Sequence, residues 1–208
     1  MRAGLFSISR VLGLGACFSG AALVVHIISG FSLRLALLLT GSLLVIAVVT
    51  QWRRASTKER VRLMRLTKVG ALSGAMALIA YDVSKFLLSQ LDPSPFNPFD
   101  AIRFFGILLA GSSVTQPAVY AAGISFHILN GICFGMAFCF LFGRRGVVAG
   151  IAWGLFLELF QLSLFPGWLD IRFYSEFALI SSVSHVVYGA VLGFSCRYGL
   201  RERPAGLP

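Results

Sequence analysis

The sequence predicts an all-α fold: a polytopic membrane helical bundle of six transmembrane helices, with one short interfacial or re-entrant helix and both termini cytoplasmic. Three observations carry this reading. Of 208 residues, 57% are hydrophobic and only 12% charged, whereas about a quarter of a soluble domain is charged. Apolar stretches of about 20 residues, enough to cross about 30 Å of hydrocarbon at about 1.5 Å per residue, recur along the chain. The basic residues alternate across those stretches as the orientation rule requires. The whole of 1–208 reads as a single integral membrane domain.

The first span covers about 11–29. Leu14-Gly15-Ala16-Cys17 resembles a lipoprotein processing box, but the apolar run before Cys17 is shorter than a signal-peptide core of roughly 7–15 residues, and it continues to Ile28. It is read as an uncleaved span. The second span covers about 33–52, and a basic cytoplasmic loop, 53–68, leads to the third at about 69–89. Residues 99–113 are apolar but rise only about 22 Å, too short to cross, so they form the interfacial or re-entrant helix. Asp92-Pro93-Ser94-Pro95 and Asn97-Pro98 precede it and Gln116-Pro117 follows it as breakers. The fourth, fifth and sixth spans cover about 118–142, 147–165 and 177–196. Phe165-Pro166-Gly167-Trp168 reads as the turn leaving the fifth.

With six spans, fourteen of the 18 basic residues fall on one side: Arg2 and Arg10, the seven from Arg53 to Lys68, Arg144 and Arg145, and Arg197, Arg201 and Arg203. That side is cytoplasmic. Counting 99–113 as a seventh span would place Arg144, Arg145 and the basic C-terminus outside. The net charge of +10 is thereby assigned to orientation and to anionic lipid headgroups rather than to nucleic acid. Cys17, Cys133, Cys139 and Cys196 all fall in spans without redox or zinc spacing, so they read as small apolar residues. Trp52, Tyr81, Tyr120, Trp168, Tyr174 and Tyr198 suit the headgroup belt, and Arg172 with Glu176 suits a solvated surface pair.

Polar side chains inside hydrocarbon are costly and need an account. Counted from the outer ends of their spans, His185 and Glu158 lie about 10 Å deep, Asp82 about 12 Å, His127 about 13 Å, Lys85 about 8 Å and His26 about 5 Å. Asp82 and Lys85, three apart, pair on one helix face; Lys85 either joins an ion relay or snorkels outward. In the fourth span His127, Asn130, Gly131 and Gly135 share a face, and in the sixth His185, Tyr188, Gly189 and Gly193 repeat the pattern. Gly150, Gly154, Glu158 and Gln161 share a face of the fifth. Small residues four apart let helices approach closely in lipid, so these three spans are expected to form one tight bundle with both histidines facing Glu158. The matched His-x-x-x-Gly-x-x-x-Gly patterns are also compatible with a parallel internal repeat.

Residues 125–203 carry a further order of marks: a His-bearing span with Phe134-Gly135, a Gly150/Gly154 span ending in Phe165-Pro166-Gly167, then Ser175-Glu176, His185 and a basic C-terminus. In these it resembles the C-terminal part of the YagU-like family of uncharacterised bacterial inner-membrane proteins. The resemblance implies a multi-pass protein of the bacterial inner (cytoplasmic) membrane and carries over no catalytic role.

Several chemistries suit the polar residues. Asp82, Lys85, His127, Asn130, Glu158, Gln161, His185 and Tyr188 are expected to line an outward-facing intramembrane cavity for a small solute, a proton or a metal ion, as in a transporter or sensor. His127, Glu158 and His185 are a reasonable ligand set for a transition metal such as iron or zinc, and two facing histidines suit axial ligation of haem. Alternatively the chain is a structural or assembly subunit, with the histidines as interhelical glue to Glu158, Ser184, Asn130 or Tyr188, and with a homo-oligomeric or other membrane-complex partner along lipid-facing glycines. A membrane metalloenzyme is the lesser alternative. No phosphate-binding loop, nucleophile elbow or His-Glu-x-x-His motif is present in the sequence, and no catalytic residue is assigned.

Overall fold

In the computed structural model, residues 2–92, 97–169 and 173–201 are described. Their regular elements are eight α-helices: α1 (Arg2–Gly15), α2 (Phe18–Ser29), α3 (Leu33–Arg54), α4 (Thr57–Leu91), α5 (Asp100–Ala110), α6 (Gln116–Phe142), α7 (Val147–Leu169) and α8 (Tyr174–Gly199). Among the described residues α3, α4, α6, α7 and α8 are long and apolar enough to cross a membrane, and α1 with α2 makes a sixth if the pair counts as one span. Pro93, Ser94, Pro95, Asp170, Arg172 and Arg203 lie outside the described residues, as do the side chains of Phe165, Pro166 and Trp168.

The stretch expected to be the first span is broken rather than continuous: the chain bends by 49° between Gly15 and Phe18. The Cys17 amide reaches only three residues back, to Leu14 O at 3.1 Å. The reason lies in the glycines, which weaken the helix locally and press its two halves onto different parts of α6. A Cβ on Gly13 would meet the side chain of Leu141, and one on Gly20 the ring of Phe134. Gly30, in the left-handed region at φ 70°, then ends α2 with its amide on His26 O, the αL ending that glycine adopts without penalty. In the same turn His26 Nδ1 donates to Phe31 O at 2.7 Å.

The expected basic loop of 53–68 is mostly helix. Only Ala55 and Ser56 interrupt it, and α4 then runs for 35 residues, about 52 Å and well beyond the hydrocarbon thickness. Its start is a capping box: Ser56 N donates to Glu59 Oε2 at 2.7 Å and Glu59 N to Ser56 Oγ. The Ser56 backbone amide and hydroxyl hold the exposed Glu59 carboxyl below its usual range. The box is therefore formed above that range and lost as pH falls through it.

The basic ends meet in space. Arg65 donates to Gly199 O at 3.2 Å and Arg201 O at 2.8 Å, capping the C-terminus of α8 from the first part of α4. A cation there satisfies carbonyls that no longer have helical partners. Replacing Arg65 with Ala should lower unfolding stability by about 0.5–1 kcal/mol, as suits an exposed cap. The midpoint of unfolding in mixed micelles would measure it.

The centre of the bundle is α4, which packs on α6 along one side and on α8 along another; α7 packs on α8 and touches α6 only slightly. The three-span bundle expected of α6, α7 and α8 is thus wedged apart by α4, because α4 carries its own glycines. A Cβ on Gly74 would lie 2.8 Å from Gly131 O, and one on Gly70 2.8 Å from Met136 Cα. Gly131 and Gly135 therefore serve the α4–α6 contact. Gly150 and Gly154 oppose Gly189 and the His185 carbonyl, while Gly193 meets the Gly146 carbonyl, so α7 and α8 approach backbone to backbone. Helix α5, at 11 residues, is too short to cross, and it lies against the start of α6, where Gly106 faces Val119 O and Gly123 faces Ile102 O. The turn expected at residues 165–168 is instead backbone helix to Leu169.

Candidate functional site

Four helices bring one layer of polar side chains together. Tyr81, Asp82 and Lys85 come from the second half of α4, His127 from α6, Glu158 and Gln161 from α7, and Ser181, Ser182, His185 and Tyr188 from α8. The close glycine crossings allow these side chains to meet, since a carboxylate and an imidazole span only a short gap between backbones. Gly154 rests on the His185 carbonyl one turn before Glu158.

The better buried half is a hydrogen-bonded chain with one direction. Gln161 Nε2 donates to Ser181 Oγ at 2.9 Å, and Ser181 Oγ donates to Glu158 Oε2 at 2.8 Å. Ser182 Oγ donates to Glu158 Oε1 at 3.3 Å. His185 Nδ1 lies 2.7 Å from Glu158 Oε2 and 3.0 Å from Ser181 O. A backbone carbonyl can only accept, so Nδ1 carries the proton. Glu158 is 2% exposed and receives donors at both oxygens, which suits the carboxylate form and offsets the cost of burying it.

The second half is more open. His127 Nε2 and Asp82 Oδ1 lie 2.9 Å apart, with side chains 24% and 34% exposed. Between the two halves stands Tyr81, its ring centroid 4.8 Å from that of His185, edge-on, and 6.2 Å from that of His127. Lys85 is buried beside it: Nζ donates to Tyr81 Oη at 3.3 Å and sits 5.3 Å from the ring centroid, near enough for a cation–π contact. Tyr188 Oη closes the layer by donating to Gly131 O at 3.0 Å, which ties α8 to α6.

Several sequence expectations change here. Asp82 pairs with His127 rather than with Lys85, because α6 lies directly against α4. Lys85 does not snorkel and meets no carboxylate among the described residues; it turns in to Tyr81. His127 does not face Glu158, so the tentative metal set of His127, Glu158 and His185 is divided between two pairs. No group of three or more His, Cys, Asp or Glu side chains suited to a metal is assembled among the described residues. Tyr81 stands between the histidines where a haem macrocycle would have to lie. Ser184 donates to Ile180 O instead of to a histidine. Asn130 Oδ1 is buried without a hydrogen-bond partner among the described residues.

Sequence reasoning missed Tyr81, placed in the headgroup belt but only 7% exposed, and it missed Ser181 and Ser182. The position of Ser181, four before His185 on the same helix face, was the signal available. Two apolar grooves, one on α3 and one where α1, α3, α4 and α6 meet, are lined by none of Asp82, His127, Glu158 and His185.

Comparison of the chain with protein-family models, with curated proteins and with solved structures finds no match.

Proposed function

We propose that this is a six-span inner-membrane protein, with α1 and α2 as one bent span and both termini cytoplasmic, whose polar layer takes up and releases a proton in a transport-like or sensor-like cycle. The topology rests on the basic ends of α4 and α8 meeting through Arg65. The inner-membrane location is also what the YagU-like resemblance implies.

One observation carries the functional reading. Two carboxylate–imidazole pairs on four helices flank Tyr81, one half-open and the other closed. Imidazole exchanges a proton near neutral pH, and intramembrane carboxylates and histidines mark proton relays. A proton entering at Asp82–His127 changes the charge beside Tyr81 and Lys85, and through them the environment of His185 and Glu158. Because each pair joins two helices, a change in charge also changes how those helices hold together.

That last property equally favours the rival reading, a structural subunit with permanently paired histidines. Isosteric variants separate the two. Asp82→Asn with Glu158→Gln keeps the side-chain shapes while removing both acidic groups. On a pH jump from 8 to 5 the double variant is expected to take up at least one proton fewer than wild type, read with an indicator dye in detergent. Equal uptake would leave the structural reading.

A further inference from the structure

We propose that the buried ammonium of Lys85 holds a small monovalent anion, chloride or a short carboxylate, which binds together with the proton taken up at His185. The site rests on the proton exchange proposed above and names what accompanies it.

The charge of Lys85 is not balanced locally. The residue is 6% exposed, and its ammonium offers several N–H donors. One goes to Tyr81 Oη at 3.3 Å, and the centroid of the Tyr81 ring lies 5.3 Å from Nζ; hydroxyl and ring are both neutral partners. No carboxylate meets Lys85 among the described residues. Asp82 pairs with His127 between α4 and α6, and Glu158 takes its donors from α8. A buried charge is ordinarily paired or coordinated, so the remaining donors of Lys85 call for an acceptor from outside the chain.

His185 completes the chemistry. Its Nδ1 lies against Ser181 O and Glu158 Oε2, whereas its Nε2 has no hydrogen-bond partner among the described residues. The side chain keeps 11% exposure. In the neutral ring Nε2 can only accept, and the proton that charges the ring turns it into a donor. Tyr81 touches both groups, with its ring edge-on to His185 at 4.8 Å and its hydroxyl at Lys85. Once His185 is charged, donors converge around one tyrosine while the carboxylates nearby are already engaged. Such a place suits an acceptor that carries negative charge.

The charge balance of the layer sets the valence. The titratable groups around the pair are Tyr81 and Asp82 of α4, His127 of α6, Glu158 of α7 and Tyr188 of α8. With both imidazoles neutral, two carboxylates against one ammonium leave one negative charge; with both imidazoles charged, one positive charge remains. A single monovalent anion cancels it. Proton and anion thus favour each other's binding, and the linkage is reciprocal.

Equilibrium dialysis of the full chain, in non-ionic detergent and zwitterionic buffer, against labelled chloride or labelled acetate tests the site. Binding is expected to be at least about tenfold tighter at pH 5 than at pH 8, within the usual range of coupling between sites. Chloride alone would identify a halide site, acetate alone a carboxylate site, and mutual competition one site open to either; each of these supports the proposal. Lys85→Met, which keeps the length of the side chain without its charge, should abolish the binding. Lys58→Gln, in the exposed first turn of α4, should leave it unchanged. On the unsubstituted protein, the anion that binds should draw protons from solution when added at pH 6, read with an indicator dye. No saturable binding at pH 5, equal binding at the two pH values, binding undiminished in Lys85→Met, or equal loss in Lys58→Gln would each overturn the site, the last as diffuse attraction to the basic surface. The pH jump with Asp82→Asn and Glu158→Gln, run without chloride or acetate, tests the proton exchange alone, so a failure at Lys85 is told apart from a failure of that exchange.

Discussion

Glu158→Ala is expected to destabilise the folded protein by about 3 kcal/mol, the low end of the cost of breaking a buried ion pair by removing one partner. The carboxylate receives Ser181, Ser182 and His185. Polar contacts within membranes average about 0.6 kcal/mol each, so three of them give about 2 kcal/mol. The remainder comes from donors left buried without acceptors, at about 1–3 kcal/mol for a fully stranded group; His185 Nδ1 keeps the Ser181 carbonyl, so the addition is small. Glu158→Gln should cost less than half as much, since its amide oxygen still accepts. Unfolding midpoints in mixed micelles would rank the pair. An alanine variant as stable as wild type would show that the buried half of the layer contributes nothing to holding α7 on α8.

Gly189→Leu should be at least as damaging, and by a different cause. A Cβ at Gly189 would overlap the Gly150 carbonyl and lie 2.7 Å from Ile151 Cα, contacts with backbone that no side-chain rotation relieves. Overpacking costs about 1–3 kcal/mol where neighbours can shift, and here two helices must part. The separation would carry Glu158 away from His185, so proton uptake should fall together with stability. A leucine at Gly41, where a Cβ would meet only the Phe18 ring at 3.7 Å, should be tolerated. Equal behaviour of the two variants would contradict the close α7–α8 crossing.

The long apolar helices and the inward glycine faces were legible because hydrophobicity and i, i+4 spacing act within one helix. The pairing of helices was not. Gly70 and Gly74 of α4 lie four apart like the others, but the first turns of that helix are rich in basic residues and were read as a loop. Ser56 and Glu59 carried the opposite signal, a capping box three residues apart. Once α4 is a long helix with its own glycine face, it takes α6 for itself and draws Asp82 to His127. Glu158 and His185 were matched correctly, because the Gly150/Gly154 and Gly189/Gly193 faces that bring them together are each complete in the sequence. Tyr81 was misplaced for a physical reason: a tyrosine near a span end suits the headgroup level and a polar core equally, and only its neighbours decide between them.

Proton exchange within the layer is the central claim, and ring nitrogen-15 spectra test it most directly. The chain has three histidines, so the signals of His127 and His185 can be assigned by single substitution in protein held in lipid nanodiscs. The account predicts that the ring signals of the layer respond to pH between 8 and 5, and that Asp82→Asn alters the His185 signal although the nitrogen it touches is on His127. Ring signals that stay fixed over that range, with a His185 signal indifferent to Asp82→Asn, would contradict it and leave the two pairs as permanent joints between helices.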